Sequence, residues 1–301
     1  MFRGALSSFL LLFFLPGLVA GSPLRLAGAD GVAVMLHGPA QRIVSLAPHF
    51  TDTLLALGAR GQVVGVIDDR EQRVGTAHRP DGLALVGDAA GLNYEVVLAL
   101  RPDLVLAWGS GTPRAWIERL RHLGQPVLVL EAATLEGLVA ETGVLGQLTG
   151  RQAAAAAQVA SLHAQLARLQ ALGQGGGRLR YFYQAWRQPL YSLHAGHLLS
   201  QALALCGADN IIPAGVVAAP VVSPEFVLRA NPDVVVVAAG DLAASRLWWG
   251  RFPGLAVVRG QRFLGVDDRR LTRPGAGMLS AAESACRQFS IWRQQRAANS
   301  R

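Results

Sequence analysis

Two glutamates stand at matched places in this chain. Residues 95–107 read EVVLALRPDLVLA and residues 225–237 read EFVLRANPDVVVV. Glu95 lies eight residues before Asp103, and Glu225 eight before Asp233. The copies are offset by 130 residues, too long for a solenoid repeat and suited to two similar lobes. A carboxylate at equivalent places on two lobes suggests a two-point docking surface. One such Glu is accounted for by the helix dipole, since an acidic first turn contributes about 0.3–1 kcal/mol. The dipole explains the pairing less well.

Other residues could act on a ligand. The seven histidines are scattered, at His37, His49, His78, His122, His163, His194 and His197. None forms an HExxH or similar ligand spacing, and there is no GxSxG, P-loop or GxGxxG after a strand. That makes catalysis the weaker expectation. His194 and His197, three apart, would share a helical face and could hold a metal or a haem iron; without a third ligand that is a weak site. His49 follows a strand end and reads as a loop-capping residue. The aromatics say more. Trp108 ends a predicted strand, and Tyr183, Trp186 and Tyr191 cluster around the end of another. Strand ends in α/β lobes point into the ligand crevice, and aromatics with a polar tip suit a large, flat, amphipathic ligand. Tyr183 reads equally well as core. Arg273 places a cation near the same cleft or on a solvated loop.

The elements that must hold these residues alternate strand and helix. RIVSLAP is a strand, with Thr51 or Asp52 as cap of the following helix. VVGVI (63–67), DLVLAW (103–108) and PVLVLE (126–131) are further strands with helices between them, which implies a parallel sheet covered on both faces. From about Leu135 two helical stretches run to Leu172. The second, TGRQAAAAAQVASLHAQLARLQALG, is made of strong helix formers and reads as a rigid strut over 148–173. A second lobe restarts with RLRYFYQAW (178–186) and ends on a C-terminal helix. The expected fold is α/β: two Rossmann-like lobes, 41–147 and 178–296, joined by one long backbone helix, with a ligand cleft between them.

Composition narrows the class. The chain has 301 residues, 51% hydrophobic and 16% charged, as in a globular protein. All 28 basic residues are Arg and the net charge is +8, but no basic stripe or nucleic-acid motif accompanies it. Arg3 and an apolar stretch from about Ala5 to Val19 read as a signal peptide over 1–21, cleaved near Ala20 or Gly21. No Cys follows the apolar stretch, so lipid attachment there is not expected, and the mature protein is expected in the periplasm. Cys206 and Cys286 are the two cysteines; export and an even count suggest a disulfide.

Taken in order, RIVSLAPH, VVGV, LNYEVVLALRPDLVLAWGSG, YFYQAW, HLLSQALALCGADNI, VSPEFVLRANPDVVVV and AAESACRQF resemble the periplasmic cobalamin-binding proteins of ABC-type importers. These are solute-binding proteins with a rigid helical backbone, and the resemblance spans about residues 41–296. It implies a non-catalytic protein with no cofactor of its own. It would capture cobalamin or a related corrinoid and deliver it to inner-membrane permease subunits, with Glu95 and Glu225 docking onto permease arginines. It also implies a Cys206–Cys286 disulfide and cleft contacts from Trp108, Tyr191 and Arg273, beside which Trp186 is a further candidate. A cleft Tyr of the family falls near Asp69, and two more cleft aromatics align with Ala89 and the Ala219–Pro220 region. These departures leave room for another tetrapyrrole or metal chelate. Three rivals follow: a haem or siderophore binder with Tyr191 or His194 as axial ligand, an exported metal-dependent hydrolase built on His49, His194 and His197, and a structural adaptor.

Overall fold

The strands read as unbroken apolar runs because helices cover both faces of the sheets. LVLAW at 104–108, VLVL at 127–130 and VVVVA at 234–238 are buried almost throughout, without the in-out alternation of a half-solvated sheet. The structure is a computed structural model and describes residues 23–68, 82–88, 90–217 and 219–299; the leader, Asp69 and Ala89 lie outside them.

An antiparallel hairpin of β1 (Leu24–Ala27) and β2 (Ala33–Leu36) opens the described chain. The first lobe follows as β3 (Ile43–Ser45), α1 (Pro48–Ala56), β4 (Val63–Ile67), β5 (Ala84–Asp88), β6 (Gly91–Leu92), α2 (Tyr94–Ala99), β7 (Leu104–Trp108), α3 (Arg114–His122) and β8 (Val127–Leu130). Its sheet runs β6, β5, β4, β3, β7, β8 from edge to edge, every pair parallel except β5 with β6. Two helices, α4 (Leu135–Thr149) and α5 (Gln152–Leu172), then cross to the second lobe. That lobe contains β9 (Leu179–Gln184), α6 (Leu198–Leu205), β10 (Ala208–Asn210), α7 (Pro224–Ala230), β11 (Val234–Ala238), α8 (Leu242–Trp249), α9 (Ala256–Arg259), β12 (Phe263–Val266), α10 (Asp268–Thr272) and α11 (Ala276–Asn299). Its sheet, in the order β10, β9, β11, β12, is parallel throughout.

Two expectations about helices need correction. The first helix does not begin at a Thr51 or Asp52 cap. It begins at Pro48, where a missing N–H costs nothing, after Ala47, which makes no side-chain cap bond. Thr51 lies inside the helix, where its hydroxyl donates to Ser45 Oγ at 2.9 Å. The backbone helix starts at Gln152 rather than 148, because Gly150, at φ +69°, takes the left-handed conformation that closes α4.

The core explains why α5 joins the lobes rigidly. Its 21 residues span about 32 Å. Ala155, near its start, packs with Leu145 and Leu148 of α4 into the first lobe's core. Leu162, Leu166 and Leu169, further along, pack with Leu199, Leu203 and Phe289 of the second. Spacings of seven, four and three residues keep these four on one helical face. Where α4 and α5 cross, a Cβ on Gly146 would lie 2.2 Å from that of Ala155, so glycine sets the close approach. The second lobe is further held by a disulfide between Cys206, just past α6, and Cys286 in α11, 80 residues apart. Closing a loop of that length removes about 4–5 kcal/mol of chain entropy from the unfolded state in the loop-closure picture.

Candidate functional site

The repeat seen in the sequence is a repeat in three dimensions. Asn93 caps α2 by accepting from Val96 N–H at 3.0 Å, and Ser223 caps α7 by accepting from Phe226 N–H at 3.2 Å. Both helices then end on a residue in the left-handed region, Arg101 and Asn231, each at φ 46°. Pro-Asp follows. Asp103 accepts from the backbone N–H groups of Arg42 (2.9 Å) and Gln41 (2.6 Å), which fastens the start of β3 beside β7. Asp233 accepts from Arg180 N–H at 2.9 Å and so fastens β9 beside β11. The same two arginines close the helix C-termini: Arg42 donates to Leu100 O, and Arg180 to Ala230 O. Glu95 and Glu225 are the exposed first-turn carboxylates of these two units. Each helix doubles back through a tight turn into its strand. Its first turn therefore lies beside the C-terminal edge of the sheet.

Those C-terminal strand edges also bound the main inter-lobe cavity, of about 830 Å³. His49 and Asp52 of α1 face it from the first lobe, Gln158 and Leu162 of α5 from the backbone helix. Residues 238–240 at the end of β11, 266–270 at the end of β12 and 273–277 beyond it face it from the second lobe. Arg273 reaches across and donates to Asp52 Oδ2 at 3.3 Å, an ion pair between residues 221 apart. Half in water, such a pair contributes about 0–1 kcal/mol. Burial holds Asp268 above the ordinary carboxylate range, against the pull of Arg269. His49 is almost fully buried, and that burial, reinforced by the Arg273 charge, pushes it down to about 3. It is therefore a neutral imidazole at any ordinary pH.

The predicted ligand-facing residues divide. Arg273 lines the cavity. Trp108, at the end of β7, stands behind His49, ring edge to ring face, with centroids 4.9 Å apart at 82°. Trp186 is exposed and lines a separate cavity of about 260 Å³ beside Gln184 and Asp241. Tyr191 pairs with Trp186 in one β-bridge and with Val221 in another, and lines neither cavity. Tyr183 is core, packed with Tyr181 and Leu199. His49, read from the sequence as a loop cap, is instead a cleft-wall residue. Its place after a strand end was the available signal. Asp52 and the run 267–270 carried none.

The histidine metal site does not form. His194 lies outside any helix, and its Nδ1 accepts from Gly196 N–H at 2.9 Å. His197 is the N-cap of α6, with Nδ1 accepting from Leu199 N–H at 3.2 Å, and burial followed by its neighbour His194 pushes it down to about 4. A nitrogen that accepts a backbone proton leaves the ring's own proton on Nε2, so neither ring offers a free lone pair. Among the described residues, no three His, Cys, Asp or Glu side chains come together as a metal site.

The family model for periplasmic binding proteins matches residues 43–247. The chain belongs to the periplasmic binding protein family. A vitamin B12-binding protein of Pectobacterium carotovorum subsp. carotovorum (strain PC1) is 32% identical to this periplasmic binding protein over 256 residues, 83% of this chain and 88% of that one. The crystal structure of the periplasmic vitamin B12 binding protein BtuF of Vibrio cholerae superposes with a TM-score of 0.74 at 28% identity, covering 85% of this chain and 98% of that one. The periplasmic heme binding protein HutB of Vibrio cholerae superposes at 0.70 with 21% identity, over 83% and 98% of the two chains, and so shares the fold. These relatives are binding proteins, and this periplasmic binding protein is not an enzyme.

Proposed function

We propose that this protein captures cobalamin, or a related corrinoid, in the cleft between its lobes and delivers it to the permease of an inner-membrane ABC importer. The observation that carries the reading is the matched placement of Glu95 and Glu225. Two exposed carboxylates stand in the first turns of two helices, one per lobe, that share the same kind of cap and the same Pro-Asp clamp onto a neighbouring strand. Charge-assisted pairs with permease arginines would set orientation and register in a transient complex. The corrinoid is supported by the vitamin B12-binding relatives that this chain covers nearly from end to end. Arg273 serves the ligand from the main cleft and Trp108 supports that wall from behind His49, while Trp186 and Tyr191, outside this cavity, would meet only a part of the ligand that extends past it. Residues 1–21 are the leader, removed on export without lipid attachment. The lobes 41–147 and 178–296 act as two grips on one strut.

Calorimetric titration of the mature chain, from about Ser22, with cyanocobalamin and separately with haemin tests the ligand. One-to-one cyanocobalamin binding, weakened tenfold or more by Trp108→Ala, is the expected result. Haemin binding without cobalamin binding would replace the ligand and keep the fold.

A further inference from the structure

One polar side chain on the cleft wall has no protein partner among the described residues and opens onto the cavity. His49 is 4% exposed, yet its side chain lines the inter-lobe cavity. Neither ring nitrogen has a hydrogen-bond partner among the described residues, whereas the rings of His194 and His197 are both committed to backbone N–H groups. A neutral ring nitrogen that faces a cavity without a protein partner has a lone pair open to water or to a ligand. The ring is also held in place. Phe50 packs at 4.2 Å and Trp108 at 4.9 Å, both measured between centroids.

The surroundings narrow what such a nitrogen takes. A bare metal ion needs three or four protein ligands, and no such group forms among the described residues. The cavity wall carries Arg269, Arg270 and Arg273 against Asp52, Asp267 and Asp268, so its charge is balanced, and Arg273, the cation beside His49, is paired with Asp52. A single neutral imidazole suits a metal whose other positions are already filled by a planar chelator and which keeps one exchangeable axial site.

We infer that His49 is an axial ligand to the metal of the bound chelate, and that it gives the cleft a preference for corrinoids whose axial position exchanges. The inference rests on the corrinoid reading above. With aquocobalamin the step is a substitution at cobalt(III). The cobalt–water bond breaks and water leaves, while an unprotonated ring nitrogen of His49 donates its lone pair to form the cobalt–nitrogen bond. The ring proton stays on the other nitrogen and nothing is oxidised or reduced. Cyanocobalamin, whose axial cyanide is held tightly, would bind through its other contacts alone.

The test titrates purified protein with aquocobalamin and with cyanocobalamin, following absorbance as well as affinity. The expected result is a shift of the aquocobalamin bands to longer wavelength at one equivalent, as for an imidazole complex, with no shift for cyanocobalamin. In His49→Ala and His49→Gln the shift is lost, and the ratio of aquocobalamin to cyanocobalamin affinity falls tenfold or more. Gln can still hydrogen-bond, so a shift surviving in His49→Gln would assign ligation to another group and overturn the inference. An unshifted aquocobalamin spectrum at saturation, with cyanocobalamin still binding one to one, would also overturn it and leave the corrinoid reading standing. The wild-type spectrum decides this even if a variant fails to fold. Absence of cyanocobalamin binding would defeat the corrinoid reading and this inference with it.

Discussion

Glu141, on α4, and His49, at the start of α1, are both driven away from their ordinary ionisation by burial. Desolvation, with the Glu131 charge adding to it, raises Glu141 from 4.5 to about 7. The folded state then binds a proton that the unfolded chain gives up between pH 4.5 and 7. Glu141 stabilises fully below the lower value, and its contribution is lost as the pH rises through about 7. Glu141→Gln removes the cost of ionising there. It should gain roughly 1–3 kcal/mol at pH 8 and almost nothing at pH 4, as read from urea or thermal melts at the two values. An equal effect at both would refute the account. His49 titrates with the opposite sign: held neutral in the fold, it costs stability once the unfolded chain begins to protonate below 6.5. Little of this was legible in the sequence. A histidine after a strand end reads as a cap or a ligand alike until its neighbours are known.

At the scale of elements, the strand and helix pattern was legible because its causes are local. Apolar runs, Pro-Asp turns and alanine-rich stretches act through neighbours in sequence. The ends of elements were less legible, as Pro48 and Gly150 show, because a turn can be closed by a backbone conformation that several residues would permit. The fastening of α5 is a tertiary matter. Arg293 of α11 is buried and donates through Nη1 to Gly173 O at 2.8 Å and through Nη2 to Leu172 O. These are carbonyls at the C-terminal end of α5, which lack intrahelical partners. Bonds from a charged donor to such groups contribute about 1.5–3 kcal/mol each. Arg293→Ala should therefore lower stability by roughly 2–4 kcal/mol in chemical denaturation, without changing the ligand stoichiometry. A loss below about 0.5 kcal/mol, typical of a surface change, would mean the helix end is held by packing alone.

At the scale of the whole molecule, a helix shared by two cores ties both lobes to one rigid body, so a loaded and an empty protein should differ by modest shifts. Recognition by a permease then falls to fixed surface groups. Glu95→Arg combined with Glu225→Arg should reduce cobalamin uptake in cells tenfold or more and leave the cobalamin Kd within twofold. Undiminished uptake would remove the docking role. The sequence by itself determined the two α/β units, their matched Glu and Pro-Asp positions and the helical connection, since each rests on spacing along one segment. Only the tertiary structure decided that His49 and Asp52 meet Arg273 across the cleft, that Trp186 faces a smaller cavity, and that Asp103 and Asp233 clamp their neighbouring strands. Those hydrogen bonds join residues 53 to 221 positions apart. They depend on how the sheets and helices pack, which no local periodicity records.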